Sequence, residues 1–151
     1  MNREPGRGAD RGFTILEMLV VLTIVGLMMT IAPAVVSGLD GSRLRAASFD
    51  LVARLREARS QAESRATATD VVFDLDRRGM TVSSGPTFRP LPAIVDRIDI
   101  FPASLVNDQR TARLRFLPDG TASAARIELR RGRLTAVVMV DWLTGRIWRD
   151  G

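Results

Sequence analysis

Carboxylates and guanidinium groups are almost the only side chains in this chain that could take part in chemistry. The sequence has no His, Cys or Tyr, and each of its 22 basic residues is Arg. A Ser-His-Asp or Cys-His nucleophile therefore lacks its base, a zinc site lacks imidazole and thiolate ligands, and a Schiff base or a phosphate-binding P-loop lacks its lysine. The composition predicts no metal site and no cofactor, and it leaves catalysis to carboxylates alone.

Two pairs of carboxylates are spaced closely enough to be considered for acid and base catalysis, Asp74 with Asp76 and Asp96 with Asp99. In "VVFDLDRRG" the first pair precedes two arginines and a glycine, which is typical of a strand that runs into a turn with solvated charges. Nothing in the spacing requires the opposed roles that glycosidases give to their carboxylates. The sequence therefore predicts that the protein is not an enzyme and has no catalytic residues.

The charge of the chain raises a different class of function. A formal net charge of +5 and a sequence pI near 11.3 are compatible with binding to nucleic acid or to an anionic membrane surface. The exclusive use of Arg weakens this interpretation, because it indicates a genome-wide base-composition bias, and the high guanidinium pKa itself raises the pI. The absence of Cys indicates only that an exported domain would have to be stable without disulfides.

These charged groups have to be positioned by two predicted parts, the first of which is an apolar segment behind a polar leader. Residues 1–12 are rich in Gly and Arg, and they are not expected to fold alone. From Phe13 to Val36 only Glu17 is charged, and as a helix this segment would be roughly 36 Å long, enough to cross a bilayer core. The basic flank predicts a cytoplasmic N-terminus, with everything after the segment on the other side of the membrane.

Glu17 is the residue that an interpretation of this segment has to explain. A secretory signal peptide would be cleaved after its apolar region, where Ala32, Pro33 and Ala34 form a small-residue site, but this leaves Glu17 unexplained. In a permanently anchored helix Glu17 would lie near the cytoplasmic interface, with its carboxylate reaching toward water. Both interpretations stay open on the residues alone.

The stretch "RGFTILEMLVVLTIVGL" resembles the N-terminus of type IV pilins and type II secretion pseudopilins. In that family a short basic leader ends in Gly, Phe begins the mature chain, and Glu stands five positions into it. The resemblance implies that a membrane prepilin peptidase cleaves between Gly12 and Phe13 and methylates the new amine. It places Glu17 at the family's glutamate position, and Pro33 close to the proline that often kinks the helix.

This resemblance gives the carboxylate of Glu17 a partner. A carboxylate in hydrocarbon is costly unless it is paired, and cleavage after Gly12 creates a cationic α-amino group. Pairing within one chain is sterically conceivable, because the amine and Glu17 lie about one helical turn apart. Pairing with the amine of a neighbouring subunit would set the axial register of packed helices, which apolar side chains alone leave unspecified. Glu17 is therefore predicted to act in assembly.

The predicted organisation is a leader at 1–12, a transmembrane and assembly helix at 13–38, and a periplasmic domain of the α+β class at 39–151. Apolar residues recur at helical spacing from about Ser42 to about Thr67, which predicts an amphipathic helix that covers a sheet. Gly38, Asp40 and Gly41 are interpreted as a bend or break before that helix. The resulting architecture is a long N-terminal helix packed on an antiparallel β-sheet domain.

The rest of the domain has the period of two that is typical of β-strands. Seven segments read as strands: "DVVFDLD", "GMTVSS", "IDIFPA", "ARLRFLP", "ARIELRR", "LTAVVMVDW" and "RIWRD". Since "AVVMV" is apolar on both faces, it is predicted to be a central strand covered on both sides. The Pro-rich "GPTFRPLPAIVDR" is predicted to be a long loop.

The end of the chain extends the resemblance. "RFLPDG" and "VDWLTGRI" look like the minor pseudopilin H group of type II secretion and the related minor pilins. This implies a pilin-like fold and a single-pass inner-membrane protein whose C-terminal domain lies in the periplasm. It implies assembly with other major and minor pseudopilins, on an inner-membrane assembly platform, into a periplasmic pseudopilus that drives exoprotein export.

A minor pilin of a type IV pilus that binds DNA during transformation is the alternative. Arg146 and Arg149 lie beside Trp142 and Trp148 in the sequence, and guanidinium groups hold phosphates while indole stacks on bases. Further arginines would share a solvent face if neighbouring strands pair, namely Arg113, Arg115, Arg126, Arg130, Arg131 and Arg133. DNA-binding members tend to carry a G-R-x-R motif, whereas "GRIWR" displaces the second arginine by one position, to the other face of a strand. Nucleic-acid contact at Arg146 and Arg149 is therefore the weaker prediction, against arginines that are simply solvated.

Overall fold

The fold consists of one long helix followed by β-strands. The computed structural model describes residues 14–150, with the backbone alone for residues 30–38 and 86. The helix is α1 (Ile15–Ser64). The strands are β1 (Thr69–Asp74), β2 (Gly79–Val82), β3 (Gly85–Pro90), β4 (Arg97–Phe101), β5 (Val106–Asn107), β6 (Thr111–Phe116), β7 (Ala125–Arg131), β8 (Leu134–Val140) and β9 (Ile147–Asp150). The α+β class predicted from the sequence is confirmed.

The strands form two sheets, and their named pairs are antiparallel. The first sheet has the order β3-β2-β1-β6-β5, and the second has the order β4-β7-β8-β9. Residue contacts divide the chain into two units, with the boundary between Ser37 and Gly38, so both sheets lie in the second unit. The strands β6 and β7 follow each other in the chain but belong to different sheets.

One hydrophobic core joins the two sheets to the later part of α1. The helix contributes a buried face at the spacing that the sequence predicted: Leu44, Ala47, Ser48, Leu51, Val52, Leu55, Ala58 and Ala62. The same core contains Phe73 and Phe116 from the first sheet, and Ile127 and Val138 from the second. Burying a large apolar side chain stabilises a fold by about 1.5–3 kcal/mol. The shared helix face is therefore what stabilises both sheets in one unit.

The start of the amphipathic helix was predicted wrongly. The helix passes through Gly38, Asp40 and Gly41 without interruption, so a break at these residues and a new start near Ser42 are both incorrect. Gly costs a helix interior only about 1 kcal/mol relative to Ala. Leu44 and Ala47, which follow directly, are buried in the core, and such tertiary packing of a helix face outweighs that cost.

The end of α1 was predicted about three residues too late. Ala66 adopts a left-handed conformation with φ of 49°. Its N–H donates to the carbonyl of Glu63 (3.3 Å), and the N–H of Thr67 donates to the carbonyl of Ala62 (3.2 Å). This pair of hydrogen bonds is the Schellman pattern that terminates many helices. Glycine usually holds the left-handed position, and an alanine there gave no signal in the sequence.

The Pro-rich segment is not one long loop, because its first part forms β3. This strand lies at the edge of the first sheet and pairs with β2 in a register that shifts between Met80 and Val82. An edge strand tolerates proline, since an N–H that faces away from the sheet needs no partner in it. Gly79 leaves room for the ring of Phe88, which a Cβ at that position would meet. The remainder of the segment, up to β4, is irregular as predicted.

The strand β8 is central, as predicted, because it lies between β7 and β9. Its face toward the core is buried at Ala136, Val138 and Val140. On the other face Val137 and Met139 are only half-buried. The expectation of full cover on both faces is therefore wrong.

A cross-strand ion pair ties β1 to β6 on the solvent side of the first sheet. Asp70 lies opposite Arg115, whose Nε and Nη2 donate to the two carboxylate oxygens at 2.6 and 2.9 Å. The hydrogen bond from Arg115 holds the pKa of Asp70 below its ordinary value. Partial burial opposes this shift, and the charges of Arg115 and Arg113 add to it. The charged form of Asp70 is therefore favoured in the folded state.

We predict that Asp70→Asn lowers the free energy of unfolding by about 1 kcal/mol near neutral pH, as expected for a bidentate pair. Because the pKa of Asp70 is depressed by folding, its contribution is present above the unfolded pKa of about 4 and is lost as the pH falls through the folded pKa. Urea unfolding of the purified protein at decreasing pH measures this difference. Asp76→Asn is the control, since Asp76 is exposed and lies 3.8 Å from Arg110. A constant difference between wild type and Asp70→Asn at all pH values contradicts the prediction.

Candidate functional site

The first part of α1 exposes apolar side chains on all its sides. Every side chain from Thr14 to Met29 is exposed, and Ile15 and Leu16 reach 86% and 76% of full exposure. Among the described residues, no helix meets the combined criteria of length and apolarity for a membrane-spanning helix. An apolar surface of this kind needs cover from lipid or from other protein.

Thr14 caps the helix directly before this apolar surface. Its Oγ1 accepts a hydrogen bond from the backbone N–H of Glu17 at 3.2 Å, and its carbonyl accepts from the N–H groups of Glu17 and Met18 at 3.0 and 3.2 Å. A Thr cap followed three residues later by Glu has the spacing of a capping box. Thr14 was not predicted as a cap from the sequence, although "TILE" carries this signal. The carboxylate of Glu17 consequently lies in the first helical turn, where the helix dipole favours negative charge.

A second hydroxyl group within the apolar surface is satisfied by the helix itself. The Oγ1 of Thr23 donates to the carbonyl oxygen of Leu19 at 2.7 Å. A hydroxyl in surroundings without water needs such a partner. Glu17 is therefore the side chain of this surface whose charge would cost free energy in an apolar environment, unless a cation is paired with it.

For three residues of the predicted processing and assembly segment, the structure gives no side-chain geometry. Gly12 and Phe13 lie outside the described residues, and Pro33 lies in the part of α1 for which only the backbone is described. Cleavage, methylation and a kink at Pro33 therefore stay predictions.

The carboxylates considered for catalysis are held by turns and ion pairs. Asp74 accepts from the N–H of Arg77 at 2.8 Å and closes the turn after β1. Asp99 accepts from Arg97 and lies 2.9 Å from Arg130. The hydrogen bond from Arg131, and then that from the backbone of Gly132, hold the pKa of Asp96 below its ordinary value. This shift is opposite to the one that a general acid needs.

Arginines of the two sheets pair with carboxylates instead of forming one basic surface. Arg113 and Arg115 lie in the first sheet with Asp70. In the second sheet, Arg126 and Arg130 flank Glu128 at 3.0 and 2.7 Å. Since β6 and β7 are in different sheets, the predicted common solvent face is not formed by these arginines. Arg131 is likewise bound, to Asp96 and Asp40.

Arg146 and Arg149 lie on different sides of β9. The guanidinium of Arg146 is 5.9 Å from the ring centre of Trp148, and that of Arg149 is 4.9 Å from the ring centre of Phe49 on α1. The displacement by one position thus separates the two side chains, as strand geometry requires. The structure does not bring them together as one phosphate-binding pair.

The two C-terminal motifs of the sequence meet in space. We call residues 117–121 and 141–146 the distal turns, because they lie beside Arg59 and Glu63 near the end of α1. The N–H of Ala122 donates to the carbonyl oxygen of Trp142 at 2.9 Å. Gly145 has a φ of 57°, and a Cβ there would collide with the carbonyl oxygen of Gly120. A side chain at position 145 is therefore excluded by conformation and by space.

Aspartates hold both distal turns in shape. Oδ1 of Asp141 accepts from the N–H of Leu143 at 3.1 Å, and from the N–H and hydroxyl of Thr144 at 2.7 and 2.8 Å. Oδ1 of Asp119 accepts from the N–H and hydroxyl of Thr121 at 3.0 and 2.7 Å. The backbone hydrogen bond from Thr144 holds the pKa of Asp141 below its ordinary value, and the hydroxyl of Thr121 does the same for Asp119. Both turns are therefore rigid units stabilised by their own carboxylates.

Comparisons with known proteins place the chain among pilin-like proteins. Residues 7–33 match the prokaryotic N-terminal methylation motif, and residues 47–144 match the family described as type II transport protein GspH. A type II secretion system protein H of Xanthomonas campestris pv. campestris is 30% identical over 138 residues, which cover 91% of this chain and 81% of that protein.

Solved structures with the same fold include two crystal forms of the type IV minor pilin FimU of Pseudomonas aeruginosa. Their TM-scores are 0.59 and 0.52, with 17% and 22% sequence identity. The matches cover 73% and 72% of this chain, and 90% and 93% of the respective FimU chains. At this level of identity the likeness concerns the fold, which is pilin-like as the sequence predicted.

We predict that Gly145→Ala destabilises the fold by about 2–4 kcal/mol, because it adds both left-handed strain and a clash with the Gly120 backbone. Gly132→Ala is the matched control. Gly132 has a similar φ of 53°, but nothing lies within 4 Å of a Cβ there, so only the strain of about 1–2 kcal/mol remains. Urea unfolding compares the two variants. Equal losses would show that the contact between the distal turns contributes nothing.

Proposed function

The chain belongs to the type II transport protein GspH family, and from this premise we propose that it works as a minor pseudopilin held in the inner membrane until it joins the pseudopilus. The observation that carries the proposal is the position of Glu17. It is a carboxylate in the first turn of a helix whose side chains from Thr14 to Met29 are all exposed and mostly apolar, inside the segment that matches the N-terminal methylation motif.

The proposed topology follows from the charge and apolarity of the N-terminal segment. The leader, residues 1–12, stays in the cytoplasm, residues 13–38 anchor and assemble the subunit, and residues 39–151 form the periplasmic domain. Lipid covers the apolar side chains before assembly, and neighbouring helices cover them afterwards. Thr23 is compatible with such apolar surroundings, because its hydroxyl donates a hydrogen bond within the helix and needs no water as a partner.

We propose that Glu17 receives the methylated α-amino group of a neighbouring subunit. Prepilin peptidase creates that amine by cleaving between Gly12 and Phe13. In a bundle of low dielectric, an ion pair is strongly favoured over two separated charges. Thr14 supports this role, because its cap fixes the first turn from which the carboxylate of Glu17 projects. The ion pair then sets the axial register that the surrounding Leu, Val, Ile and Met side chains do not set.

The partners proposed for this role are other major and minor pseudopilins, prepilin peptidase and the inner-membrane assembly platform. The role is structural and not enzymatic. It is supported by the carboxylates of the second unit, which hold turns and arginines.

A DNA-binding minor pilin has less support than a secretion subunit. The sheet arginines are paired with Asp70, Asp99 and Glu128, and an arginine that is already paired is less available to a phosphate of a nucleic acid. Contact of DNA with Arg146 and Arg149 stays a prediction. The two side chains lie on different sides of β9, as the displaced motif indicated, and this geometry does not support a paired phosphate contact.

Processing tests the N-terminal part of the proposal. We predict that the mature protein begins at Phe13 and carries one methyl group on its α-amine, because the peptidase cleaves before the apolar segment. Mass spectrometry of the N-terminal peptide from purified membranes measures both properties. Gly12→Ala is expected to lower the fraction of cleaved protein without changing membrane insertion, because the apolar segment is untouched. An N-terminus at Val35 would show ordinary signal cleavage and would contradict the proposal.

Removing the charge of Glu17 tests its role in assembly. We predict that Glu17→Ala is inserted and processed like wild type, because the segment becomes more apolar and Gly12 is unchanged. Its incorporation into filaments should fall by at least about tenfold, since a neighbour's amine is left unpaired in an apolar bundle. Glu17→Gln should resemble Glu17→Ala, because it keeps the shape of the side chain but loses the charge.

Quantitative blotting of membranes and of sheared or cross-linked filaments measures processing and incorporation separately. Met18→Ala is the control, since it alters an exposed neighbour on the same turn and keeps the carboxylate. Wild-type incorporation of Glu17→Ala would mean that Glu17 is only a tolerated interfacial carboxylate.

A further inference from the structure

We propose that the distal turns form a docking surface for another pilin-like subunit, one that presents an apolar side chain next to a carboxylate. The inference rests on the proposed function, because it assumes that the protein assembles with such subunits. It adds a second contact, separate from Glu17, and locates it at the end of the second unit where α1 terminates.

Two large apolar side chains project from the second distal turn into solvent. Trp142 is 60% exposed and Leu143 is 58% exposed, and the exposed Leu117 belongs to the first distal turn. The backbones of the two turns are joined by the hydrogen bond from Ala122 to Trp142. Exposed Trp residues are frequent energetic centres of protein interfaces. Adjacent apolar side chains of this size on a soluble surface indicate a site that a partner covers.

The turn that carries these side chains is preorganised. The carboxylate of Asp141 binds the N–H groups of Leu143 and Thr144, and Gly145 lies directly against the backbone of Gly120. A rigid turn loses little conformational entropy when a partner binds. The strong fixation of an exposed Trp-Leu pair is expected of a recognition surface.

An open groove of about 590 Å³ lies beside the apolar pair, and its charged side chains indicate which charge a partner should carry. Arg59, Asp141, Thr144, Arg146 and Trp148 line it. Arg59 is bound to Glu63 at 2.9 Å, and Asp141 is bound to its own turn. Within residues 14–150, Arg146 forms no ion pair, in contrast to Arg113, Arg115, Arg126 and Arg130 of the sheets. Arg146 is therefore the cation that a partner's carboxylate would meet.

The same surroundings disfavour a nucleic acid as the partner. Glu63, Asp119 and Asp141 all lie in or next to the distal turns, and their negative charges would repel a phosphate backbone. Binding of DNA needs several guanidinium or ammonium groups along the strand. One unpaired arginine beside an apolar pair matches a single carboxylate on a folded protein better than a row of phosphates.

Site-specific photocross-linking in cells tests this surface. The full-length protein carries p-benzoylphenylalanine in place of Trp142, or in place of Leu134 as a control, and is made together with the pilin-like subunits of its own secretion system. Leu134 is also exposed, but it begins β8 at the other end of that strand. We expect an adduct with another pilin-like subunit, identified by mass spectrometry, from position 142 and not from position 134. Equal adducts from both positions, or adducts only with DNA or an exoprotein, would overturn the inference.

Matched substitutions test the two chemical components of the surface. Trp142→Ala and Arg146→Glu should each lower incorporation into filaments by about tenfold or more, whereas Leu134→Ala and Arg133→Glu should not. Arg146→Lys should retain most of the wild-type level, because it keeps the positive charge. Leu143→Ala replaces Trp142→Ala if urea unfolding shows that the latter is not folded.

The outcomes separate this inference from the proposed function. If wild type is cleaved at Gly12 and enters filaments, while Trp142→Ala and Arg146→Glu enter them equally well, only the docking surface is refuted. If wild type itself is absent from filaments when the complete system is present, the proposed function is refuted and the docking surface with it.

Discussion

Covering the apolar surface of α1 is the requirement on which the rest of the structure depends. From Leu44 to Ala62 one face of the helix is buried in a core that it shares with two separate sheets. From Ile15 to Met29 the same helix is apolar and exposed, and lipid or other protein is expected to cover such a surface. The proposed pseudopilus subunit would meet this requirement by exchanging lipid for neighbouring helices.

Charged side chains also differ between the second unit and the first part of α1. In the second unit, Asp70, Asp96 and Asp99 bind arginines, while Asp119 and Asp141 bind their own turns. These pairings use the charged groups for the architecture. Glu17 differs, because it lies in the exposed apolar part of α1. The role proposed for it is in assembly, where a cationic amine would offset the cost of a carboxylate in apolar surroundings.

The periodic parts of the fold were predictable because local sequence decides them. The buried helix face and the bounds of β7 were predicted from the spacing of apolar residues, since this spacing distinguishes a buried face from a solvated one. The start of α1 and β3 were not predictable in the same way. Packing of the buried helix face that begins at Leu44 outweighs two glycines at positions 38 and 41, and an edge position tolerates the prolines of β3. The contact between Gly120 and Gly145 joins residues far apart in the chain, and only the tertiary structure reveals it. At the candidate site, Glu17 was evident from its type alone, whereas Thr14 required attention to its spacing from Glu17.

We propose that Glu17 pairs with the amine of a different subunit in the assembled filament, and solid-state NMR measures that contact directly. The filaments contain this protein with ¹³C in its Glu side chains, together with other pseudopilins that carry ¹⁵N in their methylated N-terminal amines. Pairing predicts dipolar transfer between the two labels that corresponds to a distance of about 4 Å between carboxylate and amine. Transfer found only when both labels are placed in this chain, or no transfer in filaments that contain the labelled protein, would contradict this pairing.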